Sequence, residues 1–319
     1  MKLIIQIPCL NEEKTLPFTL KELPRKVEGI DEVEVLVIDD GSTDRTSEVA
    51  REMGVEHILR LKKNKGLARA FMAGIDACLK LGADIIVNTD GDNQYKGEDI
   101  PRLIKPILEG RADIVIGNRN IDAIPHFSPI KKKLQKLGSW LVRQLSETKV
   151  PDTTSGFRAY SREAALRLTI VSPYTYTLEN IIQAGKRHMV IENIFVETNE
   201  ELRRSRLISS IPKYLERSLT TIVRMYTMYQ PLRVFFFVGG VAFLLGFTLG
   251  LRYLYFYFFT ESAPGHLQSL MLSAVLLILS FHLFMMGLIG DIIASSRMLI
   301  EDTLYRIKKL ELKVHGSDQ

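Results

Sequence analysis

The first 118 residues alternate short apolar runs with stretches of helical periodicity. Leu3 to Pro8, Val33 to Asp39, Val55 to Leu61, Ala83 to Thr89 and Ala112 to Gly117 read as buried strands; about Glu12 to Lys26, Asp44 to Met53, Gly66 to Leu81 and Gly97 to Glu109 read as helices between them. Strands joined through helices need crossover connections, so the pattern predicts a mainly parallel sheet with helices on both faces. Ligands of such sheets bind beyond the carboxyl ends of the strands. Polar clusters stand at those ends: Pro8 to Glu12, Asp39 to Asp44, Asp90 to Gln94, and Asn118 with Arg119. A later run, Val190 to Val196, predicts one more strand, ending at Glu197.

Farther along the chain the apolar runs lengthen. Val234 to Leu251 is an uncharged run of 18 residues, prolonged past Arg252 by Tyr253 to Phe259, and Ser269 to Gly290 is a second, of 22. About 20 apolar residues cross a bilayer core. Thr260 to Leu267, with Pro264 and Gly265, suits a tight connection. Two membrane-spanning helices are therefore predicted, the other reading being a pair of buried core helices. Just before them Leu207, Ile208, Ile211, Leu215, Leu219, Ile222, Tyr226 and Tyr229 recur at helical spacing, with Lys213, Arg217 and Arg224 opposite. Such an amphipathic helix can lie in the headgroup plane or pack on the domain, and Pro212 weakens a single unbroken helix.

Charge sets the expected orientation. Arg203 to Arg233 carries seven Lys and Arg against Glu216, the tail carries Arg297, Arg306, Lys308, Lys309 and Lys313, and the connecting loop has no Lys or Arg. The basic-flank rule then places the N-terminal domain and both termini of an integral membrane protein on the cytoplasmic side. The net charge of +5 fits anionic lipid headgroups, and no zinc-finger spacing or long basic arm argues for nucleic acid. Cys9 and Cys78 are too few for a disulfide framework or zinc cluster, and the N-terminus enters a strand without the apolar length of a signal peptide. With 319 residues, 46% of them hydrophobic, the chain can bury a large core.

The stretch Ile86-Val87-Asn88-Thr89-Asp90-Gly91-Asp92-Asn93-Gln94 delivers two carboxylates from a strand into a polar turn. That arrangement suits a hard cation that also holds phosphate oxygens. Neither GxGxxG after the first strand nor GxxxxGK[ST] occurs, which removes the phosphate cradle of a dinucleotide-dependent dehydrogenase or P-loop ATPase. In Asp39-Asp40-Gly41-Ser42-Thr43-Asp44 the hydroxyls can cap a helix, while three acidic residues around one glycine suit hydrogen bonds to ribose and base.

Together Pro8-Cys9-Leu10-Asn11-Glu12-Glu13, the Asp39 to Asp44 cluster, Asn64-Lys65-Gly66-Leu67-Ala68, Asp90-Gly91-Asp92-Asn93-Gln94, Asn118-Arg119 and Asp152-Thr153-Thr154-Ser155-Gly156-Phe157-Arg158 resemble an inverting family 2 glycosyltransferase. The branch it resembles makes polyisoprenyl-phosphate sugars, as dolichyl-phosphate mannose synthases do. The resemblance covers most of residues 1 to 233. It implies an α/β, GT-A-like domain at 1–206, followed by amphipathic juxtamembrane helices at 207–233, a two-helix transmembrane hairpin at 234–293 and a cytoplasmic tail at 294–319.

The same resemblance implies transfer of a hexosyl group from a nucleoside diphosphate sugar, of the GDP-mannose or UDP-glucose type, to a dolichyl or undecaprenyl monophosphate. Asp40 falls where the family contacts the nucleoside, with Pro8 and Glu12 shaping the pocket. Asp90 and Asp92 correspond to the acidic pair (the DXD motif) that binds Mg²⁺ or Mn²⁺, and Gln94 to a residue near sugar and acceptor. Arg119, with Lys131, Lys132 and Ser139, corresponds to the acceptor-phosphate side, three adjacent lysines also being compatible with a solvated helix start. Arg203 or Arg204 is expected to reach the diphosphate, with Arg206 helping to cover it. The acceptor phosphate is already anionic, so no catalytic base is assigned. A processive or oligosaccharide-building glycosyltransferase and a non-catalytic, membrane-tethered nucleotide-sugar binder are the alternatives. The first fits poorly with Trp140 as the sole tryptophan, the second with an intact carboxylate pair. A second copy of the chain or a membrane partner is left open.

Overall fold

The computed structural model describes residues 1–119, 143, 150–170, 176–199, 220, 223, 224, 226–259 and 267–317. Seven strands form one sheet in the order β3-β2-β1-β4-β6-β5-β7. They are β1 (Lys2–Cys9), β2 (Glu32–Asp39), β3 (His57–Arg60), β4 (Ile85–Asn88), β5 (Ile114–Arg119), β6 (Arg158–Ser161) and β7 (Ile191–Val196). β1 pairs in parallel with β2 and β4, β2 with β3, and β5 with β7, whereas β6 is antiparallel to both β4 and β5. The mainly parallel sheet is as expected; β6 is the strand the hydrophobic pattern did not announce. It is four residues long and opens on the fully buried Arg158, so it carries no apolar run.

Helices α1 (Leu16–Glu22), α2 (Thr46–Glu52), α3 (Leu67–Lys80) and α4 (Ile100–Leu108) connect the early strands, and α5 (Arg162–Arg167) and α6 (Thr177–Lys186) flank β6 and β7. α4 buries Ile100, Leu103, Ile104 and Ile107, one stripe at helical spacing, against the sheet. On one face of the sheet the core runs from Leu3, Ile5 and Ile7 of β1 through Val35 and Val37 to Ile85, Val87 and Val115.

Residues Met1–Ser218 and Leu304–Gln319 make one compact unit, and Leu219–Thr303 a second. In the second, α7 (Pro231–Phe259) and the start of α8 (Leu267–Ser317) are long and apolar enough to cross a membrane. Only 17% of each helix's most apolar window is buried, which removes the core-helix reading. The two helices meet through small residues. Gly239 faces Phe284, Gly246 faces Leu276, and the Ser273 and Ser280 hydroxyls donate to the carbonyls of Gly246 and Gly239 at 2.7 and 2.8 Å. Close approach at glycine with serine hydrogen bonds is how helices associate without a hydrophobic drive between them. Residues 207–219, most of the expected amphipathic helix, lie outside the described residues.

Candidate active site

Turns at the carboxyl ends of β1, β2 and β4 converge. After β1, Asn11 takes a left-handed conformation with φ 55°, its N–H donates to the Ser42 hydroxyl at 2.9 Å, and its Oδ1 accepts from the Thr43 N–H at 2.8 Å. Glu12 is buried, its N–H bound to Thr46 Oγ1 and its carboxylate accepting from the Thr15 hydroxyl at 2.6 Å. Pro8, also buried, pairs in register with Ile38.

Two of the three acidic residues after β2 serve the turn itself. Asp39 accepts from the Ser42 N–H at 2.7 Å and from the Ser47 hydroxyl; burial works against its ionisation, and these donors with Arg60 nonetheless hold it below the usual carboxylate range. Asp44 accepts from the N–H groups of Glu13 and Thr46. Asp40 reaches the loop after β3, where its two oxygens accept from the N–H groups of Lys65 at 2.7 Å and Gly66 at 2.9 Å. Asp39 and Asp44 thus hold the turn itself, and Asp40 ties it to the loop before α3. Gly41, at φ 73°, lies so close to this loop that an added Cβ would sit 2.6 Å from the Asn64 nitrogen. Gly41→Ala is expected to cost at least about 1 kcal/mol and to weaken nucleotide binding together with thermal stability, read by calorimetric titration and melting.

The Asp90 to Asp92 turn follows β4. A Cβ on Gly91 would meet Cys9 Sγ at 2.8 Å and Glu12 Cγ at 3.5 Å, so only glycine lets this turn rest on the β1 turn. Burial, followed by the charges of Glu12, Asp39, Asp90 and Asp92, pushes the Cys9 thiol well above its ordinary pKa. The Asp90 to Asp92 turn thus packs directly on the turn that carries Cys9 and Glu12. On the other side, a Cβ on Gly156 would lie 3.0 Å from both oxygens of Asp90 and 3.1 Å from the Tyr176 hydroxyl. Asn88 holds this glycine in place: its Nδ2 donates to the Gly156 carbonyl at 2.8 Å and to Tyr176 Oη at 2.9 Å, and its Oδ1 accepts from Gln6 at 2.9 Å. Gly156→Ala should displace Asp90 by a few tenths of an ångström and weaken nucleotide binding, measured with Mg²⁺ or Mn²⁺ present, severalfold at nearly unchanged melting temperature. An unchanged affinity would remove the contact from the site.

Beside this turn stands a buried ion pair. Arg119, at the end of β5, donates Nε to Asp152 Oδ2 at 2.8 Å, Nη2 to Thr154 Oγ1 at 3.0 Å and to Asp152 Oδ1 at 3.3 Å, and Nη1 to Gln94 Oε1 at 3.3 Å. Burial opposes the guanidinium charge, but Tyr95, Asp152 and Asp90 overcome it and raise its pKa. Burial likewise works against an ionised Asp152, and Arg119 with Thr154 holds its carboxyl below the usual range. Asp152 also accepts from the N–H groups of Thr154 and Ser155. Tyr95 closes the arrangement: its hydroxyl accepts from the Gly156 N–H at 3.1 Å, its ring stacks on Phe157, and burial pushes its pKa up to about 12. Arg158 is wholly buried and donates to the carbonyls of Ser155, Thr177 and Thr153.

Pro8, Glu12, Asp40, Asp90, Asp92, Gln94 and Arg119 thus all stand at strand ends on one edge of the sheet, while Lys131, Lys132, Ser139 and Arg204 lie outside the described residues. Most of the five N–H donors of Arg119 are committed to Asp152, Thr154 and Gln94. The guanidinium thus links the Asp152 turn to Gln94. Asp152, Tyr95, Asn88 and Tyr176 were given no role by sequence reasoning. Asn88 had a signal, a polar residue interrupting a buried apolar strand beside the equally buried Gln6. The donor set also fits a divalent cation. Among the described residues no group of three His, Cys, Asp or Glu could enclose a metal. Two carboxylates that leave the remaining positions to phosphate oxygens and water are what Mg²⁺ prefers.

The profile named Glycosyl transferase family 2 matches residues 4–169, and GtrB C-terminal hairpin matches residues 230–296. Undecaprenyl-phosphate mannosyltransferase of Micrococcus luteus is 30% identical over 224 residues, spanning 66% of this chain and 89% of the relative. Undecaprenyl-phosphate 4-deoxy-4-formamido-L-arabinose transferase of Yersinia enterocolitica is 26% identical over 329 aligned positions, covering 100% of this chain and 95% of the relative. Among solved structures, glucosyl-3-phosphoglycerate synthase from Mycobacterium tuberculosis, in complex with Mn²⁺, UDP and glucosyl-3-phosphoglycerate, superposes with a TM-score of 0.57 at 21% identity, covering 70% of this chain and 79% of that one, and so shares the GT-A-like fold. The chain belongs to glycosyl transferase family 2, whose members transfer a sugar from a nucleoside diphosphate donor, and is related to the polyprenyl- and dolichyl-phosphate sugar transferases.

Proposed function

We propose that this enzyme transfers a hexosyl group from a nucleoside diphosphate sugar to a polyisoprenyl monophosphate, with inversion and with a divalent cation. The observation that carries the reading is the combination, in one chain, of the Asp90 to Asp92 turn beside buried Arg119 and a pair of helices whose apolar residues face outward. A water-soluble acceptor gives no reason for the second feature, whereas a lipid phosphate resides in the bilayer that the helices suit. The relative from Micrococcus luteus is named for an undecaprenyl-phosphate acceptor, and the M. tuberculosis synthase holds Mn²⁺ with UDP.

In this reading Asp90 and Asp92 would hold Mg²⁺ or Mn²⁺, which when bound neutralises charge on the leaving diphosphate. Asp40 fixes the loop at Lys65 and Gly66 against which the nucleoside lies, with Pro8 and Glu12 forming its floor. Gln94, oriented by Arg119, faces the sugar, and the acceptor phosphate enters opposite the diphosphate, so that attack inverts the anomeric carbon. Arg119, Lys131, Lys132 and Ser139 receive that phosphate, and Arg204 covers the diphosphate. Because the acceptor oxygen is already anionic, positioning supplies the rate and no base is needed. Residues 1–206 carry this chemistry, the helices within 234–293 anchor it, and both termini are cytoplasmic because the basic flanks stay inside.

The test is transfer by purified full-length protein from a panel of labelled nucleotide sugars, GDP-mannose and UDP-glucose among them, to polyprenyl phosphate in detergent or vesicles. One donor should yield an organic-extractable product whose formation stops in chelator and resumes on adding Mn²⁺ or Mg²⁺. Absence of lipid product with every donor, alongside transfer to a soluble acceptor, would overturn the lipid assignment.

A further inference from the structure

β4 ends on an amide where folding asks only for bulk. All four of its residues are buried, and Ile85, Ile86 and Val87 are aliphatic, but the fourth is Asn88, two residues before Asp90. Beside it on β1 the register places Gln6, equally buried. Two aligned amides inside a sheet of aliphatic strands cost free energy unless their polar atoms are paired. Here they are: Asn88 Oδ1 accepts from Gln6 Nε2, both Asn88 Nδ2 protons go to the Gly156 carbonyl and Tyr176 Oη, and Gln6 Oε1 accepts from the Cys78 thiol at 3.9 Å. Aliphatic side chains would fill the same space without that requirement, so what the amides add is direction. They aim two groups, Gly156 and Tyr176.

Tyr176 stands just before α6 and is wholly buried. Its ring stacks on Phe71 of α3, with centroids 3.9 Å apart and planes 5° from parallel, and the Arg158 guanidinium lies 6.0 Å from its centre. The ring is thereby fixed, and with it the hydroxyl. A Cβ on Gly156 would lie 3.1 Å from this hydroxyl and 3.0 Å from both Asp90 oxygens, so hydroxyl and carboxylate border one small space that glycine leaves open. The Asn88 N–H occupies one lone pair of the tyrosine oxygen, which turns the hydroxyl proton away from Asn88, toward the side of the Gly156 carbonyl at 3.4 Å and of Asp90. Burial, and after it the charge of Asp90, push the Tyr176 hydroxyl well above its ordinary pKa, so it stays a neutral donor at neutral pH.

We infer that Tyr176 is a positioning residue for Asp90: its hydroxyl, aimed by Asn88 and braced by Phe71, limits how the carboxylate can turn above Gly156. This role rests on the proposed reading of Asp90 as a ligand of the divalent cation. A carboxylate that is free to rotate must be ordered when the ion arrives, and that ordering weakens binding. One already held against a glycine wall by a fixed donor binds without that cost, which is how groups behind a ligand govern metal affinity. Once the cation is in place its own attraction orients Asp90, so the hydroxyl adds little to the chemical step. Affinity for the ion, and not the rate at saturating ion, is what Tyr176 sets.

Tyr176→Phe removes the hydroxyl and keeps the ring on Phe71. Tyr160→Phe is its control, because Tyr160 is likewise a buried tyrosine whose hydroxyl accepts an amide proton, from Asn180 at 2.9 Å, while its register partner is Ile86, four residues before Asp90. Mn²⁺ binding to the full chain in detergent is read from the spin-resonance signal of the free ion, with whichever of GDP and UDP binds the parent, and is compared with the Mn²⁺ dependence of turnover. Tyr176→Phe should weaken Mn²⁺ binding by about tenfold and raise the Mn²⁺ needed for half activity in proportion, with kcat at saturating Mn²⁺ within about twofold of the parent. Tyr160→Phe should leave Mn²⁺ binding as in the parent. Unchanged binding in Tyr176→Phe, equal weakening in Tyr160→Phe, or a fall in kcat with an unchanged Mn²⁺ dependence would each overturn the role. Asp90→Ala, scored by the same signal, tests the underlying reading: if it leaves Mn²⁺ binding intact, or if the parent binds none, Asp90 holds no cation and both readings fall. Binding lost in Asp90→Ala and kept in Tyr176→Phe removes the positioning role alone.

Discussion

Asp92→Asn should reduce turnover by roughly a hundredfold or more, because in the proposed mechanism it removes one of the two carboxylates that would hold the cation and with it a major electrostatic contribution. Asn keeps the shape of the turn, so the loss should appear in kcat and in the metal concentration needed for half activity. Thermal stability should hardly move. Asp90→Ala should go further, weakening metal and nucleotide together, since Asp90 is also the residue against which Gly156 packs. The neighbouring Glu12 and Asp39 cannot substitute: Glu12 is tied to the Thr15 hydroxyl and Asp39 to Ser42 and Ser47. In the parent enzyme chelation should leave Asp90 and Asp92 without a counter-charge facing the diphosphate. Metal-stripped enzyme is accordingly expected to lose nucleotide affinity as well as turnover. Undiminished activity in chelator, or Asp92→Asn kinetics within about threefold of the parent, would remove the carboxylate pair from the reaction.

The carboxylate pair is legible in the sequence because its signal is local: an apolar strand, then Asp-Gly-Asp. The alternation of strands and helices is legible for the same reason. What stays hidden depends on contacts across long separations. β6 brings Arg158 beside Asn88 and Ile116, on β4 and β5, and no periodicity of four residues reveals an antiparallel strand inserted there. Asp152 reads as one polar residue in a loop motif until Arg119 is found against it. Asp39 and Asp44 hold turn amides, a role that sequence alone does not separate from gripping a ligand. The tail after the second span reads as a charged extension, yet Tyr305, Lys308 and Lys309 fasten it to α3 and α5. Deleting residues 234–319 would therefore remove part of the catalytic unit along with the anchor.

Asp152→Asn is expected to destabilise the catalytic unit by about 3–5 kcal/mol, the cost of leaving a buried guanidinium without its counter-charge. For a unit of this size that lowers the melting temperature by on the order of 10 °C. Asn retains an oxygen to accept from Thr154 and Ser155, so the turn survives and the loss isolates the ion pair. Adding Arg119→Met should recover much of the stability, because the second substitution removes the stranded charge while roughly filling its volume. Activity should not recover, since Gln94 and Thr154 then lose the donor that orients them. Acid provides an independent reading of the same pair. The folded Asp152 ionises below its unfolded value, so its contribution is complete above about pH 4 and fades as the pH falls through the folded value. Parent and Asp152→Asn melting temperatures should accordingly converge on acidification, once the shared effect of the other carboxylates is subtracted through the double variant. Equal destabilisation in the single and double variants, with no convergence in acid, would mean that packing and not charge joins β5 to the Asp152 turn.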